Sequence, residues 1–211
     1  MTLGLVITGT RGAGKTTLAE LLLRESGTAM RRVPSFTTRP PRADDLPGTY
    51  RFGSAGDFAR LQADGQLVLV GSYGAFQYGI AVSDIESVLR AGWRPLLTVA
   101  PRQAYGLLAG PSGAGWAGAF VDAADEVLDE RLAADGRPAD AQDQRQRQED
   151  RRFARPPLAL VPNDGSVTEA MERLLAALGA GAGPPTGRTA VPGGGVAATG
   201  RYGETWHVKG P

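Results

Sequence analysis

The sequence predicts an α/β fold, with helices on both sides of a parallel central sheet in a three-layer α/β/α arrangement. Short apolar runs alternate along the chain with segments of helical periodicity, which is the pattern of parallel strands joined by helices. Three helical segments begin with a serine three residues before an acidic residue, the signature of a capping box. With 211 residues and 42% hydrophobic residues, the chain can bury the core of one domain.

The individual elements follow from these runs in chain order. The predicted strands are 3–8, 67–71, 95–99, 119–121 and 158–161. The predicted helices are 16–24, 57–63, 84–91, 124–134, 141–153 and 167–178. The capping boxes start at Ser54, Ser83 and Ser166, while Gly65 and Gly92 are predicted to stop the helices before them.

The last part of the chain differs in composition from the rest. Residues 179–211 are rich in glycine and proline and carry few apolar side chains, so we expect them to be disordered. The folded domain is therefore predicted to span residues 1–178. Trp206 and His207 lie in the tail, where a docking peptide and a passive extension are both open interpretations.

Charge and composition exclude several classes of function. The chain has 23 basic and 22 acidic residues, and its net charge of +1 gives no reason to expect binding to nucleic acid or membranes. It has no cysteine and one histidine, His207, which excludes disulfides and makes histidine catalysis improbable. No basic leader precedes the first strand, so we expect a cytoplasmic protein. The oligomeric state stays open.

A glycine-rich turn connects the first predicted strand to the first helix. The segment reads Gly9-Thr-Arg-Gly-Ala-Gly-Lys15-Thr16, and Lys15 is one of only two lysines in the chain, with Lys209. The G-x-x-x-x-G-K-T spacing is that of a P-loop, which binds nucleotide phosphates through backbone N–H groups and a lysine. We therefore expect ATP and Mg²⁺ as cofactors, with Mg²⁺ on Thr16; a chance glycine-rich turn is the alternative. The predicted nucleotide-binding residues of this loop are Gly9, Gly12, Ala13, Gly14, Lys15, Thr16 and Thr17.

A second motif follows about twenty residues later. It comprises Ser35-Phe-Thr-Thr-Arg39-Pro-Pro-Arg42, then Gly48-Thr-Tyr50-Arg-Phe and, further on, Tyr78-Gly79. Two arginines on a stiff extended segment can bind the oxygens of one phosphate, because guanidinium groups donate hydrogen bonds in pairs. Nearly all basic residues of the chain are arginines, so an arginine-rich surface loop is an equally open interpretation.

Taken together, these motifs resemble the guanylate kinase family, in order and without large insertions, from about residue 3 to residue 178. The resemblance implies an acceptor-binding β-rich subdomain at about 33–82 and a helical lid at about 134–153. It also includes Arg131-Leu132 and Asn163-Asp164, and it implies nucleotide contacts for Asn163 and lid roles for Arg137, Arg145 and Arg147. The residues it implies for the small phosphorylated acceptor, through its phosphate, are Ser35, Arg39, Arg42, Tyr50 and Tyr78.

The chain departs from the family where the acceptor base is read. The guanine-reading glutamate of the family aligns with Leu69, and an acid-x-Asp pair aligns with Thr98-Val99-Ala100. A guanine edge facing Leu69 and Ala100 would lose acceptors for its N–H groups, at about 1–3 kcal/mol for each unmade bond. Asp122 is a candidate replacement near the metal.

The acceptor is therefore open at this point. GMP or another nucleotide is one candidate, and a phosphosugar of the ribose 1,5-bisphosphate type is another. A non-catalytic module that binds phosphopeptides, or a regulator that hydrolyses ATP without an acceptor, also fits the motifs. The intact lysine of the P-loop favours the interpretations in which the protein is an enzyme.

Overall fold

The computed structural model describes residues 3–25 and 30–179. The predicted disorder of residues 179–211 lies outside the described residues except at Gly179, where it is wrong, because Gly179 is the last residue of the final helix. The strands are β1 (Gly4–Gly9), β2 (Met30–Arg32), β3 (Ser35–Thr37), β4 (Tyr50–Phe52), β5 (Leu67–Tyr73), β6 (Phe76–Ala81), β7 (Arg94–Thr98), β8 (Trp116–Asp122) and β9 (Ala159–Pro162). The helices are α1 (Lys15–Glu25), α2 (Ala55–Ala63), α3 (Val82–Arg90), α4 (Pro101–Ala109), α5 (Asp125–Ala134), α6 (Ala141–Arg151) and α7 (Val167–Gly179).

The central sheet has five parallel strands in the order β2-β7-β1-β8-β9. Side chains of β1 alternate between its faces, because successive residues of a strand point in opposite directions. Leu5 and Ile7 pack with α1 and α7, whereas Val6 packs on the opposite face with Leu107 of α4. The predicted three-layer α/β/α fold is confirmed.

A second, smaller sheet holds the segment predicted to bind the acceptor. Its four strands lie in the order β4-β3-β6-β5 and pair antiparallel except for β3 with β4. Phe36 of β3 and Phe58 of α2 pack in its own core, with ring centroids 6.0 Å apart. The pairing of β5 with β6 shifts between Val68 and Gly71, and Leu69 has a φ of 52° at this bulge.

Two of the three predicted capping boxes are present. The Ser54 and Ser166 hydroxyls each accept a hydrogen bond from the backbone N–H of the residue three positions later. The carboxylate of that residue, Asp57 or Glu169, in turn accepts from the backbone N–H of the serine. The prediction for Ser83 is wrong, because α3 starts at Val82 directly from the end of β6, with Ala81 at the cap position. Helix α4, which has no polar cap, was missed. Within residues 3–25 and 30–179, no helix has the length and apolar character needed to cross a membrane.

Candidate active site

The loop between β1 and α1 has the backbone that the glycine spacing predicts. Gly12 and Gly14 both have a φ of 84°, a left-handed conformation that favours glycine. At Gly9, an added Cβ would lie 1.9 Å from the backbone oxygen of Val121, so β8 leaves room for glycine alone. The N–H groups of Thr10 and Ala13 donate to the backbone oxygens of Val121 and Thr10, and the loop leads directly into the N-terminus of α1, a position that favours anions.

Two residues predicted to bind the nucleotide also support this loop from behind. The side chain of Ala13 is fully buried in the core. Asn163 donates from Nδ2 to the backbone oxygen of Ala13 at 2.8 Å, and its Oδ1 is buried with no partner among the described residues. Asn163 still lines the cleft described below, so it connects the loop to the segment after β9.

Lys15 lies at the start of α1 and folds back over the loop. Its Nζ donates to the backbone oxygen of Thr10 at 2.6 Å. Burial lowers the pKa of Lys15 to about 8, against the opposing effects of Asp150 and Asp122. The ammonium group is therefore held at the loop, in a setting where a nearby anion favours its charged form.

Asp122, the predicted replacement acid, is engaged by protein groups. Its Oδ1 accepts from Thr10 Oγ1 at 2.7 Å, and its Oδ2 accepts from Arg151 Nε at 2.8 Å. It is absent from the residues that line the cleft, whereas Asp150 of α6 is among them. Burial raises the pKa of Asp150, which sequence reasoning did not single out.

The two arginines of the segment 35–42, called the arginine motif below, lie in different environments. Arg39 is 4% exposed, and its guanidinium donates to both carboxylate oxygens of Asp45, at 2.9 and 2.5 Å. It also stacks on the Tyr50 ring, 4.6 Å from the ring centroid. Arg42 is exposed and makes no ion pair with any residue that the structure describes. Arg39 therefore shapes the loop, while Arg42 offers its donors to a ligand.

Both motifs open onto one cleft of about 940 Å³. The P-loop contributes one wall, with the exposed Thr16 and Thr17 at its edge. The small sheet and the loop after β3 also contribute to its lining. The predicted acceptor residues all line it: Ser35, Arg39, Arg42, Tyr50, Leu69, Tyr78 and Ala100.

The predicted lid arginines occupy three different environments. Arg137 lines the cleft and pairs with Asp135 at 2.9 Å and with Asp44, which also lines the cleft, at 3.6 Å. Arg145 is exposed on α6 outside the cleft lining. Arg147 is 1% exposed and pairs with Asp129 of α5 at 2.7 Å. The structure brings only Arg137 of the three into the cleft, and the lid roles stay predictions.

One further contact joins the loop, α6 and the small sheet. Arg11 Nη1 donates to both oxygens of Asp143 at 2.6 Å, and Tyr73 Oη donates to Asp143 Oδ1 at 3.2 Å. Asp143 is also the third residue of α6 and part of its capping box. The cleft is thus bounded by three segments that share one buried carboxylate.

Sequence reasoning missed two lining residues that carry unused hydrogen-bonding atoms. Arg131 of α5 has a buried Nη1, and Gln103 of α4 a buried Oε1, each without a partner among the described residues. The Arg131-Leu132 pair was noted as part of the resemblance but given no role. Nothing in the sequence around Gln103 distinguishes it from a surface residue of a helix.

The family model described as guanylate kinase matches residues 1–132. The chain belongs to the guanylate kinase family. It is 33% identical over 141 residues to a guanylate kinase of Chlamydia abortus, which covers 65% of this chain and 67% of that relative. It is 38% identical to a guanylate kinase of Gluconobacter oxydans over 89 residues, which is 42% of each chain.

The fold also resembles a solved structure. A crystal structure of guanylate kinase from Anaplasma phagocytophilum superposes with a TM-score of 0.62 and covers 85% of this chain and 87% of that chain. At 20% sequence identity, this likeness concerns the fold alone. The family match covers the P-loop and the whole small sheet, and it ends at Leu132, before α6.

Proposed function

We propose that this chain is an ATP-dependent kinase that transfers the γ-phosphoryl group of ATP to the phosphate of a nucleoside monophosphate, with GMP as the acceptor. The observation that carries the proposal is the cleft that both Lys15 and Arg42 line. A phosphate donor and a phosphate acceptor must meet in such a cleft for direct transfer, because phosphoryl transfer depends mainly on positioning and charge stabilisation.

On the donor side, the backbone N–H groups of the P-loop bind the β- and γ-phosphates of ATP. Lys15 is held at this loop and stabilises the charge that develops on the transferring oxygens. The transfer breaks the bond between the γ-phosphorus and the β–γ bridging oxygen and forms one to an acceptor phosphate oxygen. That oxygen is already anionic, so no general base is needed.

On the acceptor side, Arg42 and Tyr50 bind the phosphate of the monophosphate. Arg39 is held by Asp45 behind them and keeps the loop in the shape that presents Arg42. The guanidinium group of an arginine suits a phosphate dianion, because it can donate two parallel hydrogen bonds to the phosphate oxygens. Ser35 and Tyr78 line the same wall next to these groups.

The residues of the cleft fit a magnesium ion bound largely through phosphates and water. Thr16 and Asp150 line the cleft with oxygen ligands, and the described residues contain no cluster of three acidic or histidine side chains. Mg²⁺ prefers oxygen ligands and usually keeps several waters in phosphate sites, so one hydroxyl and one carboxylate suit it. When bound there, it would neutralise charge on the β- and γ-phosphates.

The second candidate is a kinase for a phosphosugar without a base. Leu69 and Ala100 favour it, because neither can accept a hydrogen bond from a guanine. A binding module without catalysis is a weaker candidate, since Lys15 and Thr16 of the P-loop are intact. The substrates make a cytoplasmic location the natural expectation.

A coupled assay of ADP release separates these candidates. The acceptors are GMP, dGMP, AMP, CMP, UMP and sugar phosphates, each added with ATP and Mg²⁺. We expect ADP only when a nucleoside monophosphate is present, and a loss of several orders of magnitude in Lys15→Ala. ADP formed only with phosphosugars would favour the second candidate, and ADP formed without acceptor would indicate simple hydrolysis. Tight phosphopeptide binding with no ADP would indicate a binding module.

A further inference from the structure

Arg11 extends from the P-loop toward the small sheet. Its Nη1 donates to both oxygens of Asp143 at 2.6 Å, and Tyr73 Oη of β5 donates to the same Oδ1 at 3.2 Å. Because one carboxylate oxygen binds both groups, the guanidinium of Arg11 lies close to the small sheet although its backbone belongs to the P-loop. The residue also lines the cleft. Arg11 therefore connects the loop predicted to bind ATP with the sheet predicted to bind the acceptor.

The ion pair with Asp143 leaves most of the hydrogen-bonding capacity of Arg11 unused. A guanidinium group carries five N–H donors, two on each terminal nitrogen and one on Nε. Both bonds to Asp143 come from Nη1, and Nε and Nη2 make no hydrogen bond with any residue that the structure describes. Unlike Arg147, whose guanidinium nitrogens are buried, the Arg11 side chain is 36% exposed. The carboxylate thus holds in place a guanidinium that still has donors to offer.

The arginines predicted for the lid do not supply such donors. Arg145 lies outside the cleft lining, and Arg147 is buried. Arg137 lines the cleft, but two acidic side chains pair with its guanidinium. Phosphoryl transfer spreads charge over the three oxygens of the γ-phosphoryl group, and cationic donors that are fixed in advance stabilise this charge. Arg11 lies on the same loop as Lys15, so the two cations can act on one group.

We propose that Arg11 is a catalytic residue that donates hydrogen bonds from Nε or Nη2 to the γ-phosphoryl group during its transfer, and that Asp143 positions it. This inference rests on the proposed function and adds a group outside the arginine motif and the predicted lid. The guanidinium keeps all its protons. The bond from the γ-phosphorus to the bridging oxygen breaks, its electron pair stays on ADP, and the acceptor oxygen forms the new bond. Arg11 stabilises the charge on the oxygens that move with the phosphorus.

Two variants remove the same ion pair, and only one of them also removes the guanidinium. Arg11→Ala should lower kcat at least about 100-fold, because a fixed donor to the transition state is lost. Asp143→Asn should lower kcat less than tenfold, because Arg11 stays on the P-loop and only its position loosens. Arg152→Ala, the matched change at an exposed residue after α6, should alter kcat less than twofold. Steady-state ADP release at saturating ATP and GMP measures all three values.

A second measurement separates binding of the transition state from support of the fold. ADP and aluminium fluoride, together with GMP, imitate the phosphoryl group between donor and acceptor. We expect Arg11→Ala to weaken the binding of this complex by about the factor that it loses in kcat, because a transition-state analogue reports the same interaction. The Kd of ATP alone should change less than fivefold. Calorimetry measures both affinities.

Equal losses of kcat in Arg11→Ala and Asp143→Asn would overturn the inference while leaving the kinase intact, because Arg11 would then act only through the ion pair. A loss below tenfold in Arg11→Ala would overturn it as well. If Arg11→Ala does not fold, Arg11→Lys decides, since lysine keeps the charge beside Asp143 but has fewer donors. A loss of tenfold or more in that variant supports the inference, and an unchanged kcat overturns it. Absence of ADP with every acceptor in the native protein would instead refute the proposed function.

Discussion

Arg39 and Arg42 are three residues apart in one motif, and the structure gives them opposite surroundings. Arg39 is buried against Asp45 and two aromatic rings, with its guanidinium group paired to the Asp45 carboxylate. Arg42 is exposed at the cleft, with its backbone N–H on Asp45 and its side chain directed to solvent. The sequence predicted both arginines as phosphate ligands. In the structure, Arg39 maintains the loop, and Arg42 is free to bind a ligand.

Arg42→Ala should therefore raise KM for the nucleoside monophosphate at least about tenfold, because a charge-assisted hydrogen bond contributes about 1.5–3 kcal/mol. KM for ATP should change less than twofold, since the P-loop is untouched. Steady-state kinetics with each substrate varied in turn would measure both. Arg60→Ala, on the exposed face of α2, is the matched control. Equal effects on both KM values would contradict the assignment of Arg42 to the acceptor.

The pair of Arg39 and Asp45 also predicts a pH dependence of stability. The hydrogen bonds from Arg39 lower the pKa of Asp45 below its usual value, so ionised Asp45 stabilises the folded state above the unfolded pKa of about 4. That contribution is lost as the pH falls through the folded pKa. Asp45→Asn should thus be less stable than the native protein at pH 7, with a difference that shrinks at pH 3.

Urea denaturation at pH 7 and at pH 3 measures this difference in the free energy of unfolding. Asp64→Asn, at an exposed position after α2, serves as the control. A difference for Asp45→Asn that stays constant across the two pH values would mean that the carboxylate's charge does not stabilise the fold.

Among the secondary-structure elements, the helix starts show where sequence patterns succeed and fail. Ser54 precedes its helix after an irregular turn, so its hydroxyl is free to cap. Ser83 has the same sequence spacing, but β6 pairs with β5 up to Ala81 and fixes the start of α3 at Val82. Strand pairing decided this boundary, and no local pattern contains it. Helix α4 was missed for a related reason: its buried Ala104 and Leu107 form it against the sheet, without a polar cap.

Ser54→Ala should lower the free energy of unfolding by about 1 kcal/mol, the usual cost of a lost N-cap. Ser83→Ala, the same change at a serine that caps nothing, should lower it by less than half as much. Thermal and chemical denaturation of the two variants make the comparison. Equal losses would mean that the bond between Ser54 and Asp57 contributes nothing to the start of α2.

For the molecule as a whole, the sequence predicted the two phosphate-binding motifs and their family but not the wall between them. The P-loop and the arginine motif are local patterns whose spacing carries their chemistry, so the sequence alone singled out Lys15 and Arg42, and both line the cleft. Gln103 and Asp150 reach the cleft only because α4 and α6 pack where they do. Arg147 failed to reach it for the same reason, since packing against α5 buries it beside Asp129.

If both motifs serve one cleft, a ligand that fills both should bind far more tightly than either substrate. We expect an adenosine–guanosine dinucleotide joined by five phosphates to bind at least about 100-fold more tightly than ATP or GMP, because its second half binds at high effective concentration. Calorimetry gives the affinities, and the melting temperature should rise accordingly. Arg42→Ala should remove most of this gain. Competition with ATP alone, and no gain over it, would contradict a shared cleft.

The position of Lys15 has a practical consequence for experiments on this protein. It is the only lysine in residues 3–25 and 30–179, because the other lysine of the chain is Lys209. An amine-reactive acylating reagent therefore has one lysine target in the described part of the chain, and that lysine lines the cleft. Peptide mass spectrometry of a labelled sample would report directly, as the degree of acylation at one residue, how much of the protein holds a nucleotide.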